Sequence, residues 1–260
     1  MRYRVFAIVS LSVPAILCTV WLMQCPLGTA CLSPTGASSL LPMMTLLLIA
    51  IPVAAWAGRT GWLLASAHRA VRRLQIALSP TTLEAAAART QLPIACIEGS
   101  VPAAFATGVL RPRIVVTTAL LQSLQADQVD AVLWHEARHV ARRDPLRRAM
   151  LRALSEVYFC VPAIRGWMEQ QLVASELAAD RAAIERVGRR AVAQALLTVR
   201  DIPFEAVAAF AGTAEARVAQ LLGDPIAPTP LPRSLWLLST AGGASILALA
   251  WCTAHLLASI

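Results

Sequence analysis

Leu133-Trp134-His135-Glu136-Ala137-Arg138-His139 sets two histidines four residues apart with a glutamate beside the first. Helical spacing puts residues i and i+4 on one face, so both imidazoles can grip a single metal ion. Glu136 sits one step around the helix, close enough to reach a water on that ion. Zinc lowers the pKa of such a water towards neutrality, and a carboxylate can take its proton. The chain holds 4 histidines among 260 residues. Shuffling its composition yields this pattern roughly 0.002 times, so the motif is specific.

A catalytic zinc site takes three protein ligands and keeps a fourth position open. The third ligand must come from elsewhere in the chain. His68 lies beside one apolar run and His255 near the end of another, and both read as interfacial or structural. Glu176 is the better candidate. It lies in Ser175-Glu176-Leu177-Ala178-Ala179-Asp180, in a second helical stretch. Asp180, one turn later, can accept a hydrogen bond from the free ring nitrogen of a ligand histidine and fix its tautomer. Without the histidine motif, a solvated helix face would be the better account of both acids.

Outward from this centre the chain divides by composition. Hydrophobic residues make up 57% and charged residues 15%, against about half and a quarter in a soluble domain. Mean hydropathy is +0.61. Val5–Met23 is an uncharged apolar run, a second covers Ser39–Ala57 and extends to Leu64, and a third covers Leu235–Ala258. Each is long enough for a bilayer crossing. His68, Arg69, Arg72 and Arg73 follow the second run, and the positive-inside rule sets them in the cytoplasm. Ala241–Ser245 is a small-residue surface suited to close helix packing. The reading is a mostly α membrane protein with three transmembrane helices. It comprises a two-helix anchor over 1–73 (spans about 5–23 and 39–64), a cytoplasmic domain over 74–232 and a C-terminal helix over 233–260.

Within 74–232 the pattern predicts a helix at Thr81–Arg89 and strands at Ile94–Ile97, Phe105–Thr107 and Ile114–Thr117. Gly108 and Arg111-Pro112 mark a turn. Helices are predicted at Ala119–Ser123, Ala126–Arg142, Leu146 to about Gly188, and Glu215–Leu222. Met150–Ile164 is too short and too charged to span, and reads as a buried or interfacial helix. Pro225, Pro228, Pro230 and Pro232 read as an extended linker. This is an α+β domain with a small sheet.

Net charge is +8, and all 23 basic residues are arginine. They are not interleaved with aromatics and no nucleic-acid motif appears, so nucleic acid is not an expected partner. Arginines such as Arg72, Arg73, Arg147 and Arg148 read instead as facing anionic lipid. The six cysteines form no CxxC. Cys25 and Cys31 could pair if their loop faces an oxidising compartment.

Several runs together resemble a known group. Phe105–Gly108, Arg111-Pro112-Arg113-Ile114, His135–His139, Arg142-Arg143-Asp144-Pro145, Tyr158-Phe159-Cys160-Val161-Pro162 and Glu215-Ala216-Arg217-Val218 resemble the BlaR/MecR-type family of gluzincin membrane peptidases. The HtpX and Ste24-like peptidases share the metal motif and are the near alternative. The resemblance covers roughly residues 98 to 222. It implies that His135, His139 and Glu176 hold one Zn2+, that Glu136 is the general base and acid, and that Asp180 orients a ligand histidine. It implies also that Ala103, Ala104, Phe105, Ala106 and Thr107 form an edge strand that holds a peptide by backbone pairing. The expected setting is a bacterial inner membrane.

Two departures stand out. Sensor members carry an extracellular penicillin-binding domain after the last span, whereas this sequence stops at Ile260, so β-lactam sensing by that route is not expected. Ala179 stands where the family often has cysteine. The expected activity is a zinc metalloendopeptidase acting on a cytoplasmic or membrane protein, such as a transcriptional repressor. The alternatives are a quality-control protease of HtpX type and a catalytically silent, zinc-bearing membrane transducer.

Overall fold

The computed structural model describes residues 34–74, 81–198, 207–224 and 230–258. In chain order the elements are α1 (Pro34–Arg72), α2 (Thr81–Thr90), β1 (Ile94–Ile97), β2 (Ala104–Thr107), β3 (Arg113–Thr117), α3 (Thr118–Ser123), α4 (Ala126–Ala141), α5 (Asp144–Val157), α6 (Pro162–Val187), α7 (Arg189–Thr198), α8 (Val207–Leu222) and α9 (Arg233–Ala258). They fall into two compact units. One gathers residues 1–60, 152–168 and 230–260, the other 61–151 and 169–229.

The expectation of three transmembrane helices is corrected here. Among the described residues no helix is long and apolar enough to cross a membrane. The run expected over 39–64 is interrupted within α1 by Gly58, Arg59, Thr60 and Gly61, and α9 carries Ser239, Thr240, Gly242, Gly243 and Ser245. The small residues of α9 serve close packing inside the first unit instead. A Cβ on Gly242 would meet the Cys160 carbonyl oxygen at 2.0 Å, and the buried Ser239 Oγ accepts from the Ala163 N–H at 2.8 Å. The run over 5–23 and the Cys25–Cys31 pairing lie outside the described residues, as does most of the proline-rich linker.

In the same unit, Glu156 joins two arginines, accepting from Arg59 Nε at 2.5 Å and from Arg152 Nε at 3.0 Å. The Arg59 hydrogen bond outweighs burial and holds the Glu156 carboxyl below its usual range. The helical region expected from Leu146 to about Gly188 divides at Tyr158–Val161 and resumes at Pro162. Proline has no N–H to give a preceding turn, but its fixed φ suits the first helical position.

The second unit is built on a three-stranded sheet of order β1-β3-β2. β1 runs parallel to β3, and β2 runs antiparallel to it. The β2–β3 turn begins at Gly108 (φ +87°), where a Cβ would lie 2.3 Å from the Arg111 carbonyl oxygen. Buried Thr117 ends β3 and fixes the approach to β2. Its Oγ1 accepts from the Ala103 N–H at 2.9 Å and donates to the Val101 carbonyl at 2.8 Å. It also caps α3 by accepting from the Leu120 N–H at 3.3 Å.

α4 lies on this sheet. Leu133, Ala137 and Val140 join Leu83, Cys96, Ile114 and Val116 in the main core. Their spacing of roughly one turn makes an apolar stripe. A second stripe begins at Ala131, which packs with Ala183 of α6 and with Ala191, Val192 and Ala195 of α7. Small side chains let these helices approach closely. Gly188, at φ +88°, turns the chain from α6 into α7. The two apolar stripes leave His135, Glu136 and His139 on the remaining side of α4, facing a cavity of about 260 Å3.

Candidate metal centre

His135 and His139 project from adjacent turns of α4, with ring centroids 4.8 Å apart. Each ring is fixed through its Nδ1. His135 Nδ1 lies 2.8 Å from Asp180 Oδ1, and His139 Nδ1 lies 2.7 Å from Asp144 Oδ2. An ionised carboxylate only accepts, so both Nδ1 atoms donate and both Nε2 atoms turn towards a common point.

The two carboxylates are themselves held. Asp180 is fully buried and takes a two-pronged contact from Arg217, Nε to Oδ2 at 2.7 Å and Nη2 to Oδ1 at 2.8 Å. Burial alone would raise its pKa, but the bonds from His135 and Arg217 lower it below the usual carboxylate value. Removing one member of such a buried pair costs about 3–5 kcal/mol, because the other charge is left uncompensated. Asp144 opens α5, beyond a left-handed Arg143 at φ 54°. It accepts from Ser175 Oγ at 2.5 Å and from Arg147 Nη1 at 3.3 Å. Burial is outweighed here too, by the His139 and Ser175 hydrogen bonds, and the Asp144 carboxyl falls to about 2.

Glu176 of α6 completes the group. Its Oε2 is 3.3 Å from His135 Nε2 and its Oε1 is 3.4 Å from His139 Nε2, while the two Nε2 atoms are 3.1 Å apart. Arg148 contacts Glu176 Oε1, and Arg217 Nη1 stands 3.7 Å from Oε2. Although burial opposes ionisation, the hydrogen bond with His135 and the nearby charges hold the Glu176 carboxyl well below its usual range. At His135, burial disfavours the charged ring, but the bonds to Asp180 and Glu176 prevail and raise its pKa to about 9. The surroundings therefore call for positive charge at this point, which a proton or a metal ion can satisfy.

The donor set fits a tetrahedral ion. Ligands about 2.0 Å from such an ion stand about 3.3 Å from one another, and the three observed separations are 3.1, 3.3 and 3.4 Å. Two imidazole nitrogens and one carboxylate at that spacing suit a cation between them. Glu136 is near the same point: ligand atoms of His135, Glu136 and His139 all lie within 4.8 Å of one another. Its Oε2, however, accepts from the Ala106 N–H at 2.7 Å.

That contact ties the centre to the sheet. Thr117 N donates to the Ala103 carbonyl just before β2, so the backbone groups of alternate residues 105 and 107 of β2 also face β3. Ala104 and Ala106 direct their backbone groups to the free edge, towards Glu136. Of the five residues expected to hold a peptide, Ala104, Phe105 and Ala106 line the cavity. Ala103 is buried, and neither it nor Thr107 reaches the lining. His68 borders a different cavity, and the side chain of His255 lies outside the described residues.

Arg148, read from the sequence as facing anionic lipid, instead contacts Glu176; Asp144, Ser175 and Arg217 received no individual role from the sequence. Asp144 had a local signal, an acid at a helix start five residues after His139. Arg217 stood only within the Glu215–Val218 run that carried the resemblance, and spacing gave no hint that it meets Asp180 across 37 residues. Replacing Asp144 by Asn removes the charged acceptor that orients His139. Outer partners of this kind are worth about 10–100-fold in metal affinity, and a loss of that size is expected in a competitive zinc titration. Unchanged affinity would show that His139 needs no anchoring at Nδ1.

Residues 11–220 match the family described as BlaR1 peptidase M56. Among curated proteins, the chain is similar to a protease HtpX homolog of Janthinobacterium sp. (strain Marseille), 33% identical over 114 residues, which is 43% of this chain and 38% of that protein. It is similar to protease HtpX of Xylella fastidiosa (strain 9a5c), 42% identical over 72 residues, 27% of this chain and 25% of the relative. With protease HtpX of Xanthomonas axonopodis pv. citri (strain 306) it shares 39% identity over 83 residues, 31% and 28% of the two chains. The similarity thus spans between 25% and 38% of the length of these relatives.

Proposed function

The chain belongs to the BlaR1 peptidase M56 family, and from that premise we propose that it is a zinc-dependent endopeptidase. What supports the reading most is the triangle of His135 Nε2, His139 Nε2 and Glu176, with sides of 3.1, 3.3 and 3.4 Å. In this proposal those three residues hold one zinc ion. The ion supplies Lewis acidity to a water and to a peptide carbonyl.

The chain's own residues do the rest. The free edge of β2 receives an extended peptide through the backbone groups of Ala104 and the carbonyl of Ala106. Glu136, steadied by the Ala106 N–H, takes the proton of the attacking water at its carboxylate and delivers it to the leaving amine. Asp180 and Asp144 keep both imidazoles in one tautomer throughout. The relatives' names, protease HtpX, support peptide hydrolysis as the reaction.

The substrate in this reading is a protein with an accessible extended segment. Regulatory cutting of a partner such as a repressor is the use we favour. Work at a membrane surface belongs to the same proposal, supported by exposed Ile51, Val53, Trp62, Trp236 and Leu237 on α1 and α9.

Purified full-length chain is expected to carry about one zinc per molecule and to cleave an unstructured protein such as casein. A strong chelator should stop cleavage, and added zinc should restore it. Undiminished cleavage by the metal-stripped chain, or none by the zinc-loaded one, would overturn the proposal.

A further inference from the structure

The second unit has another cavity, of about 450 Å3, lined from α1, β1 and β3. Side chains alternate across a strand. Ile114 and Val116 of β3 belong to the core under α4, so Arg113 and Val115 face the other way, as does the cavity. Ala95, Ile97 and Val115 give it an apolar floor, and His68, Arg72 and Arg113 stand around that floor. No acidic residue is in the lining.

Among the described residues, none of these three basic side chains has an ion pair or side-chain hydrogen bond. This contrasts with the metal centre, where Arg148 and Arg217 are matched to acids. Arg113 is half-buried, and a guanidinium drawn out of water over an apolar floor is costly without an anion beside it. Exposed Arg72 and half-buried Arg113 border one concavity with His68 beside them, and no acid is built in to answer the two guanidinium charges.

We propose that this cavity binds the headgroup of an anionic phospholipid. Arg72 and Arg113 would grip the phosphate in their planar forks, with His68 beside them. The glycerol and first acyl carbons would lie against Val71, Leu74 and Val115. A free phosphate would satisfy the two arginines but not the apolar half of the wall. The volume lies within the roughly 300–1,000 Å3 of small-molecule pockets, far more than one small anion fills. The cavity adjoins the C-terminal end of α1, where Trp62 in the same unit is 53% exposed. A lipid reaching His68 would have its tails in keeping with that apolar surface. None of the cavity residues takes part in the metal centre, so the site stands whether or not the chain is a peptidase.

The test is native mass spectrometry on the full chain in an uncharged detergent, with short-chain phosphatidylglycerol, short-chain phosphatidylcholine or inorganic phosphate as the probe. The expected result is one phosphatidylglycerol retained per chain, with phosphatidylcholine and inorganic phosphate bound far more weakly. The double variant Arg72→Gln/Arg113→Gln should weaken phosphatidylglycerol binding by at least about 10-fold and keep its zinc content and helical circular dichroism. Arg73→Gln, a neighbouring exposed arginine outside the lining, should bind normally. Equal retention of phosphatidylcholine would overturn the proposal. So would equally tight inorganic phosphate, an unaffected double variant, or the same loss in Arg73→Gln.

Discussion

Glu136→Gln is expected to lower peptide hydrolysis by about 10²–10⁴-fold, the usual worth of a positioned general base, with zinc still bound. The substitution keeps the size of the side chain. An amide oxygen can still accept from the Ala106 N–H, which the carboxylate meets at 2.7 Å, so the edge of β2 should stay in place. What disappears is the capacity to hold a proton. The loss should fall on kcat, with KM little changed, because the backbone groups of Ala104 and the carbonyl of Ala106 remain for peptide pairing. Glu136→Ala makes a useful contrast. It removes both functions, so KM should rise as well. Turnover by Glu136→Gln within a few-fold of the unsubstituted chain would assign the proton transfer to another group.

The helix that carries this residue was legible because its signal is local. Five consecutive residues, His135 to His139, hold both the metal pattern and the helical period. The strands were legible for a similar reason. Ile94–Ile97 lies just after Pro93, and Gly108 interrupts the apolar pattern at the turn. β2 nevertheless begins at Ala104, one residue earlier than predicted, because Thr117 anchors Ala103 from β3. α7 was not anticipated. Only the positive φ at Gly188 separates it from α6, and its start, Arg189-Arg190, gives no helix signal. Arg217–Asp180 and Ser175–Asp144 are long-range contacts, decided by how α6, α8 and the start of α5 pack, and spacing carries no trace of them. The expectation of three transmembrane helices failed for a different reason. A long run of mean apolar character reads the same whether its small residues face lipid or another helix. Mean hydropathy does not register that Gly242 and Ser239 are placed against Cys160 and Ala163, or that Arg59 puts a charge into the apolar run of α1 and meets Glu156.

Glu176→Gln is expected to strip the metal, and it separates two assignments that distance alone leaves close together. Glu136 and Glu176 both bring a carboxylate near His135 and His139. They differ in their other partners. Glu136 is engaged by a backbone N–H of β2, whereas Glu176 reaches both Nε2 atoms at 3.3 and 3.4 Å. If Glu176 is the third ligand, neutralising it costs more than the outer-shell range of about 10–100-fold, and zinc should be lost on dialysis together with activity. The fold should persist, because α6 keeps the Asp180–Arg217 pair and the buried Ala179 and Ala183. Glu185→Gln, on the exposed side of the same helix, is the matched control and should keep both metal and turnover. Zinc content read beside activity then distinguishes the two acids: inactive with zinc for Glu136→Gln, inactive without it for Glu176→Gln. Zinc retained at full affinity in Glu176→Gln but lost in Glu136→Gln would exchange their roles and remove Glu136 as the base.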